Sequence, residues 1–258
     1  QRAFRGVDVV VHAAALKQVP TLEYNPFEAV QTNIIGSQNV IDASIDQGVK
    51  KVLLISTDKA AEPANLYGAT KLCAEKLFVG ANVYSPHKTI LSAVRYGNVI
   101  GSRGSVIDVL RKNRGLKKVK ITNPEMTRFF ITLAQSFELV DFALEHMVGG
   151  EVFVPNKLPS IKLSDLFDVV APDAEREIIG IRPGEKLHEA LLTKEESARA
   201  LELEKAYVIL SAFPHSKDVY AKYNEMGRKL EPGFCFLSHT NKNWFTKEDF
   251  KKLLGDEI

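Results

Sequence analysis

The run Val52-Leu53-Leu54-Ile55, entered through Lys51 and ending in Ser56-Thr57-Asp58-Lys59, limits the fold of this chain more than any other stretch. An unbroken apolar run of this length suits a strand covered on both faces, as strands of a parallel sheet are. The polar residues then stand at its carboxyl end. In open α/β sheets ligands bind beyond the carboxyl ends of the strands, so Ser56, Thr57, Asp58 and Lys59 are expected to project toward a ligand. Pro63 is expected to open a helix that carries Tyr67 and Lys71, whose spacing puts phenol and ammonium on one helical face. That proximity predicts a Tyr67 pKa lowered from about 10 toward neutrality. A Tyr-x-x-x-Lys pair alone is more often a packed aromatic beside a solvated charge. The polar strand end just upstream turns the reading toward proton transfer.

Apolar runs and amphipathic stretches alternate through the first part of the chain. Strands are expected at Val7–Ala15, Lys50–Ser56 and Thr89–Tyr96, with helices at Pro26–Asp46 and Pro63–Val83 between them. This order predicts an α/β fold, a Rossmann-type doubly wound parallel sheet. No Gly-x-Gly-x-x-Gly follows any expected strand, and the Gly-x-x-Gly of Gly101 and Gly104 comes after the polar cluster rather than before it. The first strands and the phosphate loop of such a sheet are therefore expected outside these residues. An apolar edge would then be exposed beside Val7–Ala15, and the isolated chain is expected to be poorly soluble.

Past Gly97 the rhythm loosens. Helices are expected at Ser105–Arg114, Leu133–Met147 (ended by a left-handed cap at Gly149 and Gly150), Ser160–Val170, Gly184–Leu192 and Lys247–Leu254. Strands are expected at Glu151–Pro155, Glu177–Ile181 and Ala206–Leu210. Residues 1–100 should supply the sheet with its polar cluster. Residues 101–258 should supply mainly a smaller, substrate-binding lobe, with some segments returning to the sheet.

Composition excludes several classes of function. Of 258 residues, 45% are hydrophobic and 26% charged, and the net charge of +2 gives no electrostatic reason to bind nucleic acid or an acidic membrane. The basic cluster Arg111, Lys112, Arg114, Lys117, Lys118 and Lys120 reads as a solvated helix end. Cys73 and Cys235 lack metal-ligand spacing, which suits a reducing compartment and a cytoplasmic protein. No apolar run approaches the roughly 18 to 20 residues of a membrane span. His188 has no second ligand at metal-binding spacing, so no metal is expected.

Taken in order, HAAALKQVP, QTNIIGSQNVIDA, STDKAAEPANLYGATK, VRYGNVIGSRGSV, MTRFFITL and GIRPGEKLHE resemble the extended short-chain dehydrogenase/reductases from Gly6 to Leu254. Within them the likeness is to the dehydratases of pseudaminic acid biosynthesis that act on UDP-N-acetylglucosamine and invert carbon 5. The resemblance implies an NADP cofactor, NAD not being excluded, a UDP-sugar substrate and a homo-oligomer. It implies Tyr67 as the group that takes the carbon 4 hydroxyl proton, Lys59 as base at carbon 5 and Asp58 as acid at the carbon 6 hydroxyl. A lowered pKa would ready Lys59, and a raised one Asp58. Ala13, Ala14, Ala15, Tyr67 and Lys71 would line the cofactor. Lys17, Thr57, Lys59, Tyr67, Asn98, Thr127, Arg128 and Arg182 would contact substrate, with Arg128 and Arg182 as diphosphate forks. Asn33 would support the strand ends, and Glu185, Lys186 and His188 would fix the turn that aims Arg182. A nucleotide-sugar 4-epimerase would share Tyr67 and Lys71 without needing Asp58 and Lys59 side by side. That enzyme and a non-catalytic fragment that only binds nucleotide sugar stay open as alternatives.

Overall fold

The computed structural model describes residues 1–85, 88–102, 108, 117–214 and 220–254. Its largest element is a seven-stranded sheet. Strands β1 (Val9–His12), β2 (Lys51–Thr57) and β3 (Ile90–Tyr96) pair in parallel in that spatial order, and Val152–Pro155 joins parallel to β3. Three further strands, Ala206–Ile209, Ala200–Glu202 and Arg228–Lys229, extend the sheet antiparallel. Segments from the second half of the chain thus complete the sheet that the first half begins.

Parallel neighbours need crossover connections, and helices supply them. Between β1 and β2 the chain runs through Pro26–Ala29, a π-helical stretch Val30–Ile35 and Gly36–Gln47. Gly48 then stops the helix in the left-handed region at φ 69°, where a side chain would be strained. Between β2 and β3 runs the helix Leu66–Gly80. Alternation along β2 divides the core. Val52 and Leu54 pack with Ile41, Ala74 and Phe78 under these helices, whereas Leu53 packs with Leu139, Phe142 and Phe153 on the opposite face, beneath the helix Leu133–His146. Each fully buried leucine contributes roughly 1.5–3 kcal/mol, so covering both faces holds β2 in place. At the sheet's edge β1 is covered less well, and Val9 and Val11 are exposed.

The smaller sheets build the far side of the carboxyl edge. Past β3, Gly97 passes so close to Phe129 that a Cβ there would lie 2.5 Å from the Phe129 backbone oxygen. That approach lets Asn98–Val99 pair with Thr127–Ile131, which in turn pairs with Ser160–Lys162. Lys118–Ile121 pairs with Glu175–Ile178, and Lys118 faces Glu175 and Glu177 across that pair. Arg111, Lys112, Arg114 and the helix expected at Ser105–Arg114 lie outside the described residues, Asp108 excepted.

Several expectations are corrected. The first strand is Val9–His12 rather than Val7–Ala15, because the chain beyond His12 bonds to Asn33 instead of to β2. Leu66 opens the helix that carries Tyr67 and Lys71, since Asn65 rather than Pro63 brings the cap. Ser160–Lys162 is strand and only Leu163–Val170 is helix. The strand expected at 177–181 is Glu175–Ile178, and in place of the helix expected at Gly184–Leu192 residues 184–189 form a turn leading into the strand Ala190–Leu192. The helix Leu133–His146 ends at an extended Met147, with the positive φ of Gly149 and Gly150 falling later, in the turn. Among the described residues no helix is long and apolar enough to cross a membrane.

Candidate active site

β2 delivers the polar cluster to the carboxyl edge of the sheet. The extended Thr57 caps a single 3-10 turn, Asp58–Ala60, by accepting a hydrogen bond from the Lys59 N–H at 3.4 Å. Its hydroxyl donates to Asp58 Oδ1 at 3.0 Å, and Lys59 Nζ donates to the same oxygen at 3.0 Å. Opposite, Asn65 accepts from the Gly68 N–H at 2.8 Å and so sets the first turn of the helix that carries Tyr67 and Lys71. Gly68 lets that turn sit on the Asp58–Ala60 loop, since a Cβ there would lie 2.2 Å from the Lys59 backbone oxygen. Gly68→Ala is therefore expected to lower product formation and to cost about 1–3 kcal/mol by overpacking. Thermal unfolding and a turnover assay check this, and a variant matching the parent in both would refute the close approach.

Two cavities meet here, and Lys59 lines both. The first, of about 290 Å³, is walled by Ala13, Ala15, Lys17, Thr57, Tyr67, Lys71 and Asn98, among others. The second, of about 540 Å³, is walled by Arg128, Arg182, Lys186, Glu189 and the turn around Gly184. Lys186 donates to the carbonyls of Ala61 and Glu62, and Asn65 donates to Gly184 O at 2.8 Å. The RPGEK segment is thereby docked on the loop that follows Lys59. Arg182 stays exposed beside Glu185, whereas the Arg128 guanidinium bonds the carbonyls of Thr127 and Leu187.

The electrostatics reverse two expectations. Burial raises the Tyr67 pKa, and the neighbouring charge that opposes this is Lys59 rather than Lys71. Lys71 donates to Ile55 O at 2.7 Å, and burial lowers its pKa to about 8 despite Glu75. For Lys59 burial acts downward, yet Asp58 and then Glu189 outweigh it and the pKa rises. Asp58 behaves as expected, burial raising its pKa against the pull of Lys59. His12 is pushed to about 4 by burial and the Lys71 charge, so it stands neutral between Ser37 and Phe78.

Of the residues selected from sequence, Ala13, Ala15, Lys17, Thr57, Lys59, Tyr67, Lys71 and Asn98 meet in the first cavity, and Arg128 and Arg182 in the second. Three stand elsewhere. Ala14 does not line the cavity that its neighbours line. Asp58 is 0% exposed, beneath Thr57 and Lys59 rather than in the wall. Thr127 is a buried structural contact, because its hydroxyl is taken up by His188 Nδ1 at 2.8 Å and Ser238 Oγ at 2.6 Å. Asn33 clamps Leu16 through both its amide groups and reaches Thr70 at 3.0 Å from the middle of the π-helical stretch. Such π turns recur at functional sites.

Sequence reading missed Glu189 and Glu75. Glu189 belongs to the GIRPGEKLHE segment, but nothing local shows that it reaches Lys59, at 3.6 Å. Glu75 follows Lys71 by one helical turn and takes up Ser56 and Arg95 inside the core.

Residues 1–211 match the model of a family described as polysaccharide biosynthesis protein. The chain is 46% identical over 260 residues to the UDP-N-acetylglucosamine 4,6-dehydratase (inverting) of Campylobacter jejuni subsp. jejuni serotype O:2, covering 98% of this chain and 78% of that protein. It is 42% identical to the UDP-glucose 4-epimerase of Rickettsia massiliae, covering 98% and 75%. Its fold superposes on the X-ray structure of Pen from Bacillus thuringiensis with a TM-score of 0.85 and 39% identity, covering 98% of this chain and 76% of that one.

Proposed function

The chain belongs to the polysaccharide biosynthesis protein family, and from that premise we propose that it is a UDP-N-acetylglucosamine 4,6-dehydratase that inverts carbon 5. The observation that carries this reading is Lys59, paired with Asp58 and set where a cavity lined by Tyr67 meets a cavity lined by arginines. An epimerase needs proton transfer at carbon 4 alone, which Tyr67 and Thr57 could serve without that pair.

The first cavity, with small side chains at Ala13 and Ala15 beside Tyr67 and Lys71, fits the nicotinamide and ribose end of a dinucleotide, and the buried, unpartnered side-chain oxygen on Asn98 is left for substrate. When bound, that cofactor, NADP in this proposal, would supply a hydride acceptor for carbon 4 and a hydride donor for carbon 6. Lys71 would hold the nicotinamide ribose, with Lys17 at the mouth. Arg182 and Arg128 would take the diphosphate, and Asn98 would bond the sugar.

Tyr67 and Thr57 hold the carbon 4 hydroxyl, and Tyr67 carries its proton away. The ketone so formed makes the carbon 5 proton acidic, and Lys59 removes it. An ammonium cannot do so. Transfer of its proton to Asp58 across the 3.0 Å contact leaves an amine and a carboxylic acid, the form that a desolvated pair favours once substrate excludes water. Lys59 then takes the carbon 5 proton, and the proton on Asp58 reaches the departing carbon 6 hydroxyl through the Thr57 hydroxyl, so that water leaves. Hydride return at carbon 6 is then balanced by a proton added to carbon 5 from the opposite face, which is the inversion. Residues 101–258 contribute mainly the substrate lobe, with some segments returning to the sheet, and the protein acts in the cytoplasm as a homo-oligomer, feeding pseudaminic acid synthesis.

Proton NMR of UDP-N-acetylglucosamine with the protein and NADP+ in deuterated water tests the reading. A new 6-methyl signal, deuterium at carbon 5 and L-arabino couplings are expected. A carbon 4 epimer without a methyl would transfer the assignment to the epimerase, and unchanged substrate would leave only nucleotide-sugar binding. Tyr67→Phe is expected to reduce cofactor reduction in a single turnover by about 10²-fold or more, the lower range for a positioned acid–base group. A normal burst of reduced cofactor would exclude Tyr67.

A further inference from the structure

We propose that Glu189 is a positioning residue for the dehydration, holding the Lys59 ammonium at the junction of the two cavities and tying it to Arg128 and Lys186 of the arginine-lined wall. The proposal rests on the reading of Lys59 as the group that exchanges the carbon 5 proton. Glu189 Oε1 lies 3.6 Å from Lys59 Nζ and 3.7 Å from Arg128 Nε, and Oε2 lies 3.2 Å from Lys186 Nζ. Its side chain is almost wholly buried, and its backbone is held from both sides. The Glu189 N–H donates to Ser238 Oγ at 2.9 Å, and the Ser238 N–H donates to Glu189 O at 2.8 Å.

One carboxylate therefore gathers three cations from three segments. Asp58 reaches only Lys59 among them, so without Glu189 the charges of Lys59, Arg128 and Lys186 would repel one another in a poorly solvated space. Lys186 carries the tie further, into the carbonyls of Ala61 and Glu62. Glu62 holds φ 51°, a left-handed conformation that few residues other than glycine adopt, and the Lys186 bonds help to keep it there. The groups facing Lys59 are Asp58, Glu189 and Arg128, and Tyr67 in turn faces Lys59 and Asp58. Glu189 itself faces Lys59, Arg128 and Lys186.

The sign of the effect follows from these neighbours. Glu189 favours the charged form of Lys59, so removing its charge lets the amine form at lower pH. The rate of carbon 5 exchange rises with pH as the Lys59–Asp58 pair loses the proton that would keep it ammonium beside carboxylic acid, and Glu189→Gln is expected to move that rising limb toward acid by about one unit, as loss of an opposite charge this close does. The plateau rate should fall, because Lys59 is no longer held, and KM for UDP-N-acetylglucosamine should change less than twofold. Lys186→Met should move the limb the other way, since Glu189 then serves Lys59 with one competitor fewer.

Deuterium incorporation at carbon 5 of UDP-N-acetylglucosamine, followed by NMR across pH for the parent protein and both variants, is the test. An acid shift in Glu189→Gln with a lowered plateau supports the proposal. A limb coincident with the parent's, or a change in KM alone, overturns it. If circular dichroism shows that Glu189→Gln does not fold, Lys186→Met decides: an alkaline shift supports the proposal, and no shift or an acid shift overturns it. A parent protein that forms no methyl product would instead remove the dehydratase reading itself.

Discussion

Lys59→Met is expected to leave carbon 4 oxidation in place while carbon 5 exchange falls by about 10²- to 10⁴-fold, the range for losing a positioned acid–base group. Methionine keeps the length of the side chain but cannot take a proton. Tyr67 and Thr57 remain, so reduced cofactor should still appear in a single turnover, and the absorbance of that form together with deuterium exchange separates the two steps. Exchange at the parent rate would remove Lys59 from the base role. The same variant leaves Asp58 and Glu189 buried without the cation between them. The Asp58 pKa, already raised by burial, should climb further once Lys59 no longer pulls it down. A group whose folded pKa lies above its unfolded value stabilises most in acid and loses that contribution as pH rises through the folded pKa. Lys59→Met should therefore lose thermal stability from acid toward neutral pH more steeply than the parent, and parallel melting curves would contradict this.

Arg95→Ala is expected to cost about 3–5 kcal/mol, because it strands buried carboxylates. Arg95 is 1% exposed, with Nη2 2.6 Å from Glu75 Oε2 and Nη1 2.9 Å from Glu196 Oε2. It also donates to Leu191 O at 3.0 Å. One guanidinium thus joins β3, the helix of Tyr67 and the one-turn helix Lys194–Ser197 after the strand Ala190–Leu192, and both carboxylates would remain in the core when it is gone. At roughly 2–4 °C per kcal/mol for a domain of this size, the melting temperature should drop by roughly 6–20 °C. A loss below about 1 kcal/mol in denaturant unfolding would mean that water relieves the carboxylates, and the triad would then not be a strong tie.

Much of the sheet was legible because its signals are local. The apolar run of β2 marks a strand covered on both faces, and Val52 and Leu53 do pack on opposite faces. The run ends in Ser-Thr-Asp-Lys, and the polar cluster does lie at the carboxyl edge. Helical spacing likewise put Tyr67 and Lys71 on one face, and both line one cavity. Elements that depend on a distant partner were misread. Ser160–Lys162 has the composition of a helix start, but pairing with Thr127–Ile131 draws it into a sheet. Thr127 carries a hydroxyl suited to a ligand, yet its partners are His188 and Ser238, which no local pattern brings near it.

Sequence alone determined the class of fold, the strand end that carries Thr57, Asp58 and Lys59, and the helix face that carries Tyr67 and Lys71. Each follows from periodicity over a few neighbouring residues, which backbone geometry converts directly into position. Tertiary structure alone decided that Asp58 lies beneath the wall rather than in it, that Lys59 is shared by two cavities, and that Glu189 and Arg95 anchor the charges around them. It also set the direction in which Tyr67 and Lys59 titrate. Burial and the distance to charges far along the chain govern those properties, and both exist only once the chain has packed.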